Sequence, residues 1–127
     1  MNPLKATMMQ AVTGMEMQSQ RIGVTSENIS NADTPGYRRK VLVMDPVTTT
    51  ADQFKAMRVQ LDETPGTLSF EPTHPMANAE GYVTLSNVSL VTEMADMREA
   101  NRSYEANLNA FQQARSMYAS LLDILRR

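Results

Sequence analysis

Leu90 to Leu125 reads LVTEMADMREANRSYEANLNAFQQARSMYASLLDIL. Every seventh residue from Leu90 gives Leu90, Met97, Tyr104, Phe111, Tyr118 and Leu125. Every seventh from Met94 gives Met94, Asn101, Leu108, Arg115 and Leu122. The two lines alternate by four and three residues, the spacing of an a/d seam in a coiled coil. No Gly or Pro interrupts the run. At 1.5 Å per residue it predicts a helix of roughly 50–55 Å. A one-sided stripe of that length requires a partner helix.

The N-terminal stretch from residue 4 to about residue 30 has the same period. Met8, Met15, Ile22 and Ile29 form one line, and Leu4, Ala11, Gln18 and Thr25 a weaker second one. The shared period predicts that the two ends pair antiparallel, as a two-helix stalk. Gly14 and Gly23 each cost about 1 kcal/mol relative to Ala, so the first helix is expected to order only against a partner. In the second helix, Asn101 and Arg115 interrupt the seam and would influence its register. Glu93, Asp96, Arg98, Glu99, Arg102 and Glu105 read as a solvated outer face, and Ser86 or Asn87 as the helix cap. Arg126 and Arg127 suit the negative pole of that helix.

Between the helices the pattern changes. Asn28-Ile29-Ser30-Asn31-Ala32-Asp33 competes with helical hydrogen bonding. Thr34-Pro35-Gly36-Tyr37 then fits a type II turn, with Pro setting φ and Gly supplying a positive φ. Tyr37-Arg38-Arg39-Lys40 is a short basic patch, read as a solvated strand edge rather than a binding site. Alternation predicts strands at Lys40–Met44, Met57–Leu61, Thr67–Glu71 and Tyr82–Leu85. The Thr64-Pro65-Gly66-Thr67 turn is expected to join the second and third as a hairpin. Asp45 to Asp52 reads as a loop. The fold is thus mainly α with a small β insert. Residues 1–36 supply the first helix and turn, 37–86 the insert, and 87–127 the long helix.

Composition narrows the function. A formal net charge of −2 makes no electrostatic case for nucleic acid. There is no Cys, so disulfides, thiolate zinc sites and thiol catalysis are excluded. His74 is the only His; without a second His or a Cys nearby it reads as structural. No apolar run is long enough to span a bilayer. Met1 to Gln20 lacks the apolar core of a Sec signal peptide. Met is abundant in both candidate helices, a side chain suited to adaptable packing.

Asn28-x-x-Asn31-Ala32-x-Thr34-Pro35-Gly36-Tyr37-Arg38 resembles the N-terminal signature of bacterial flagellar rod, hook and hook-associated proteins. A second block consists of His74-Pro75-x-Ala77-Asn78-x-x-Gly81-Tyr82-Val83, Asn87-Val88, Glu93-Met94-x-Asp96-Met97 and Arg102-x-Tyr104-x-Ala106-Asn107. It resembles the proximal rod proteins of the FlgC type. Where that family commonly has Pro-Asn-Val, this sequence has Ser86-Asn87-Val88, which leaves a helix cap available to Ser86.

The resemblance implies a non-enzymatic subunit without cofactors, exported through the flagellar type III apparatus. It would assemble in the periplasm into the rod that drives the hook in motility. Implied partners are rod proteins of the FlgB, FlgF and FlgG types and the rod-base adaptor FliE. It further implies that the terminal helices form the inner coiled-coil core, with the insert packed outside. On this reading Met8, Met15, Ile22 and Ile29 pack against Leu108, Phe111, Tyr118 and Leu122, and Tyr37 sets the angle of the insert. A rod protein of the FlgB type and a generic coiled-coil scaffold are the alternatives. A small enzyme built on His74 lacks the necessary constellation.

Overall fold

The computed structural model describes residues 2–46 and 56–127. The elements run α1 (Pro3–Ser30), β1 (Lys40–Met44), β2 (Met57–Leu61), β3 (Leu68–Phe70), β4 (Tyr82–Thr84) and α2 (Leu90–Arg126). The helices are 28 and 37 residues long, or about 42 and 55 Å. α1 begins where its sequence allows a clean start: Asn2 Oδ1 accepts from the Leu4 N–H at 2.9 Å, and Pro3 occupies the first turn.

The two helices are antiparallel. Asn28 meets Glu93, Arg21 meets Glu99, Gly14 lies against Asn107, and the Lys5 ammonium sits over the Tyr118 ring. On α1 both expected seam lines are covered. Ala11 and Thr25 are buried, and Leu4, Met8, Met15, Gln18, Ile22 and Ile29 are half-buried.

On α2 only one line lies where the heptads put it. Met97, Tyr104, Phe111 and Tyr118 are half-buried. The other covered line is Glu93, Ala100, Asn107 and Ala114, one residue ahead of the expected Met94, Asn101, Leu108, Arg115 and Leu122. Met94 is 56% exposed, and Asn101 and Arg115 face solvent, so neither polar residue interrupts the intramolecular seam. The reason is steric. Small side chains let the backbones approach closely, and a Cβ on Gly14 would come within 2.7 Å of the Asn107 side chain. Leu108 remains half-buried at the flank, whereas Leu90, Leu122 and Leu125 are exposed. Leu4 already lies beside Met117, Leu121 and Ile124, so the end of α2 has little of α1 to cover it.

Among the described residues, two separate antiparallel sheets make the insert, β1 with β2 and β3 with β4. The expected β2–β3 hairpin is therefore corrected. Thr64-Pro65-Gly66 is a connector between sheets, not a hairpin turn. Gly66 is required for proximity, since a Cβ there would stand 1.9 Å from the Leu85 carbonyl oxygen. The first Thr-Pro-Gly does turn as the sequence predicts. Gly36 has φ +77°, and the Tyr37 N–H donates to the Thr34 carbonyl at 3.2 Å. Residues 47 onward of the expected Asp45–Asp52 loop lie outside the described residues.

Candidate functional site

The chemistry of this molecule is concentrated where the insert joins the helices. Asn28, in the last turns of α1, is only 1% exposed. Its amide donates to the Lys40 carbonyl at 2.8 Å and to Glu93 Oε2 at 3.2 Å. Its carbonyl oxygen accepts from the Lys40 N–H at 2.9 Å and from the Tyr37 hydroxyl at 2.8 Å. Every hydrogen-bonding position of the Asn28 side chain is thereby used. The expectation that Asn28 helps end the helix is corrected: it stays helical and grips the segment that follows. Asn31 is the residue that ends α1. Its side chain donates to the Glu27 carbonyl at 2.9 Å and accepts from the Thr34 hydroxyl at 3.1 Å.

Glu93 is the second member. It is 1% exposed, on the covered face of α2 rather than the outer one. Arg39 Nε donates to Glu93 Oε1, and the same guanidinium reaches Asp96 at 3.4 Å and Asp62 at 3.6 Å. Arg39 is thus a structural ion-pair residue, not part of a solvated edge. Its neighbour Lys40 pairs with Glu27 at 2.5 Å, while Arg38 is exposed. A buried charge needs such partners, because leaving one unpaired in the interior is strongly unfavourable.

The pKa shifts follow the same contacts. Partial burial works against the Arg39 charge, but the hydrogen bond and charge of Glu93, then Asp96 and Asp62, outweigh it and raise the value. Burial, reinforced by the negative charge of Glu27, holds the Tyr37 phenol above its ordinary value. Hydrogen bonds from the Thr64 backbone and hydroxyl hold the Asp62 carboxyl below its own.

Ser86 and Asn87 do not cap α2; the cap position is Ser89, which makes no side-chain cap bond. The Ser86 hydroxyl donates to the Ala32 carbonyl. Asn87 accepts from the Arg39 N–H at 2.5 Å and donates to the carbonyls of Asp62 and Thr64 at 3.0 and 2.8 Å. The Gly36 N–H donates to the Thr84 carbonyl at 2.9 Å. Both chain crossings between helices and insert are therefore sewn together.

The rest of the second block builds the β3–β4 connection. His74 Nδ1 accepts from the Met76 N–H, and Asn78 Oδ1 from the N–H groups of Glu80 and Tyr82, each at 3.0 Å. Pro75 lies in the same loop. Gly81, at φ +90°, leaves room for the Phe70 ring, which a Cβ would approach to 2.9 Å. Phe70 and Tyr82 meet edge-to-face with ring centres 5.2 Å apart. Farther along α2, Asn107 lies under Gly14 and Tyr104 is half-buried, whereas Met94 and Arg102 are exposed and outside the clasp.

Asp62 carries no sequence signal for its role, and Asn87, though in the second motif block, reads as a helix cap because its actual partners are backbone groups far along the chain. A large part of the apolar surface also stays open. Leu90, Val91, Met94, Met117, Ile124 and Leu125 on α2 are exposed. Among the described residues, the only buried hydrophobic ones are Ala11, Val83, Ala100 and Ala114. No helix among the described residues is long and apolar enough to cross a membrane.

A slender helix pair with open apolar stripes and a clasped insert is the form of a subunit built into a larger structure. Residues 8–38 match the family described as flagella basal body rod protein. Residues 79–124 match the C-terminal family of flagellar basal body rod FlgEFG proteins. These matches define the class: a structural subunit of the flagellar basal-body rod.

Among the relatives, a flagellar basal-body rod protein FlgC of Agrobacterium fabrum is 41% identical over 99% of this chain and 98% of its own length. A FlgC of Borreliella burgdorferi is 32% identical over 91% of this chain and 93% of its own. One from Escherichia coli O6:H1 is 34% identical over 90% and 92%. The chain belongs to the FlgC family of flagellar basal-body rod proteins.

Proposed function

We propose that this chain polymerises in the proximal part of the rod and helps transmit motor torque to the hook. Its non-catalytic role is packing. The partners on this reading are further copies of itself, rod proteins of the FlgB, FlgF and FlgG types, and the rod-base adaptor FliE. Delivery runs through the flagellar type III apparatus into the periplasm. The observation that carries the reading is the mismatch between a long helix pair and its very small core. Exposed Val91, Met94 and Leu125 need helices from elsewhere to cover them. A heterologous contact repeated from copy to copy generates a helical tube. Helices packed side by side along such a tube resist twisting.

The test is a charge on the open face. Met94→Glu and Leu125→Glu alter exposed positions, so the chain is expected to fold and to be exported. Basal bodies from these strains should lack a completed rod, and the cells should not swim. Normal swimming of both strains would overturn the reading.

A further inference from the structure

Apart from the fit of Gly14 against Asn107, the seam between α1 and α2 has little power to fix its own register. On α1 the covered lines are Met8, Met15, Ile22, Ile29 and Leu4, Ala11, Gln18, Thr25. On α2 they are Met97, Tyr104, Phe111, Tyr118 and Glu93, Ala100, Asn107, Ala114. Sliding one helix by seven residues, about 10 Å, keeps each line against the same line. Large apolar side chains still meet large apolar ones. Slid one way, Asn28 stands beside Ala100. Slid the other way, Arg21 stands beside Glu93, so an ion pair is on offer in the wrong register.

We propose that Asn28, Arg39 and Glu93 are the register key of the helix pair. These contacts do not repeat along the seam. Glu93 is met by partners from two segments: Asn28 on α1, and Arg39 on the strand entry behind the turn. Arg39 is anchored in turn by Asp62, Asp96 and the Asn87 side chain. A shifted pair keeps its apolar contacts but breaks the bonds of Glu93 to Asn28 and Arg39 together, along with the Arg39–Asp96 pair. A single polar layer that sets register in an otherwise slippery seam is the best-attested use of buried polar groups between helices. The key also makes the insert part of the helix register, because two of the segments it joins lead into β1. The proposal concerns the single chain and does not depend on polymerisation.

The absence of cysteine makes the test direct. Gly14→Cys with Asn107→Cys reports the native register, since the two positions touch. Gly14→Cys with Ala100→Cys, or with Ala114→Cys, reports the two one-heptad shifts. Each pair is oxidised in the purified full chain, and the intramolecular disulfide is scored by non-reducing mobility and peptide mapping. With the key intact, only the native pair should close. With Glu93→Gln, which keeps size and an amide bond to Asn28 but removes the charge for Arg39, at least one shifted pair should close about tenfold more. Asn28→Leu with Arg39→Met and Glu93→Met should enlarge that fraction. Shifted pairs that stay open in Glu93→Gln while the native pair closes at its original yield would overturn the proposal. If the triple variant closes no pair, the Glu93→Gln result decides.

Discussion

The Asn28 amide donates to the Glu93 carboxylate at 3.2 Å, joining residues 65 apart in sequence. One is the first residue of the N-terminal motif and the other lies in the second motif block. The two halves of the family pattern therefore meet physically, in a buried layer that neither half can complete. Tyr37 and Lys40 close the same layer from the turn side. Asn28 thus fastens the strand entry to both helices, beside the separate bonds of Ser86, Asn87 and Gly36.

Asn28→Leu should accordingly be among the most damaging single substitutions outside the apolar seam. It fills similar space but strands the Lys40 backbone groups, the Tyr37 hydroxyl and one oxygen of Glu93. A loss of about 3 kcal/mol is expected, because each stranded buried group costs on the order of 1–3 kcal/mol and some regain water. Tyr37→Phe removes one neutral bond and should cost about 1 kcal/mol. Urea unfolding checks both, with an unchanged slope and a lower midpoint.

Two pH limbs follow from the shifts. Asp62 has a folded-state value below 3.8, so its contribution is complete above pH 3.8 and disappears as pH falls through the folded value. Asp62→Asn should flatten the acid limb of a stability-versus-pH curve. Tyr37 has a folded-state value above 10.0, so the unfolded chain loses its proton first and stability falls as pH rises past 10.0. Tyr37→Phe should remove that alkaline component, measured by thermal melts between pH 9 and 12.

Gln18 is the flaw in the seam. Its Oε1 is buried and is the one buried side-chain nitrogen or oxygen without a hydrogen-bond partner among the described residues. An unmet buried acceptor costs about 1–3 kcal/mol. Gln18→Met keeps the length of the side chain and removes the amide. It should raise stability by about 1 kcal/mol, read as a higher urea midpoint.

The helices and the four strands were legible because their signals are local. Periodicity in the helices and alternation in Lys40–Met44, Met57–Leu61, Thr67–Glu71 and Tyr82–Leu85 each act within a few residues. The register of α2 was not legible by counting apolar residues. That count favours Met94, Leu108 and Leu122, whereas the close helix approach selects Ala100, Asn107 and Ala114. Strand pairing failed for a related reason. Thr-Pro-Gly reads the same at Gly36, where a positive φ makes the turn, and at Gly66, where only the nearness of Leu85 requires glycine. The clasp was half visible. Asn28, Tyr37, Asn87, Glu93 and Asp96 lay within the family motifs and Arg39, Lys40 and Asp62 outside them, and Asn28, Arg39 and Glu93 looked like a helix breaker, a surface base and a surface acid.

Gly66 and a third glycine, Gly23, make the last test. At Gly66 an added Cβ meets a backbone oxygen at 1.9 Å, which no side-chain rotation relieves. Gly66→Ala must part the connector from Leu85, beside the Leu85 N–H bond to the Thr67 carbonyl at 2.8 Å. It should destabilise by about 2–3 kcal/mol, with faster amide exchange at Leu85. At Gly23, in the interior of α1, nothing lies within 4 Å of an added Cβ. Gly23→Ala should therefore stabilise by about 0.5–1 kcal/mol through helix propensity. Opposite signs at the two sites, measured by urea unfolding, distinguish a glycine needed for space from one the helix merely tolerates. Equal effects would mean that the Gly66–Leu85 approach does not hold in solution.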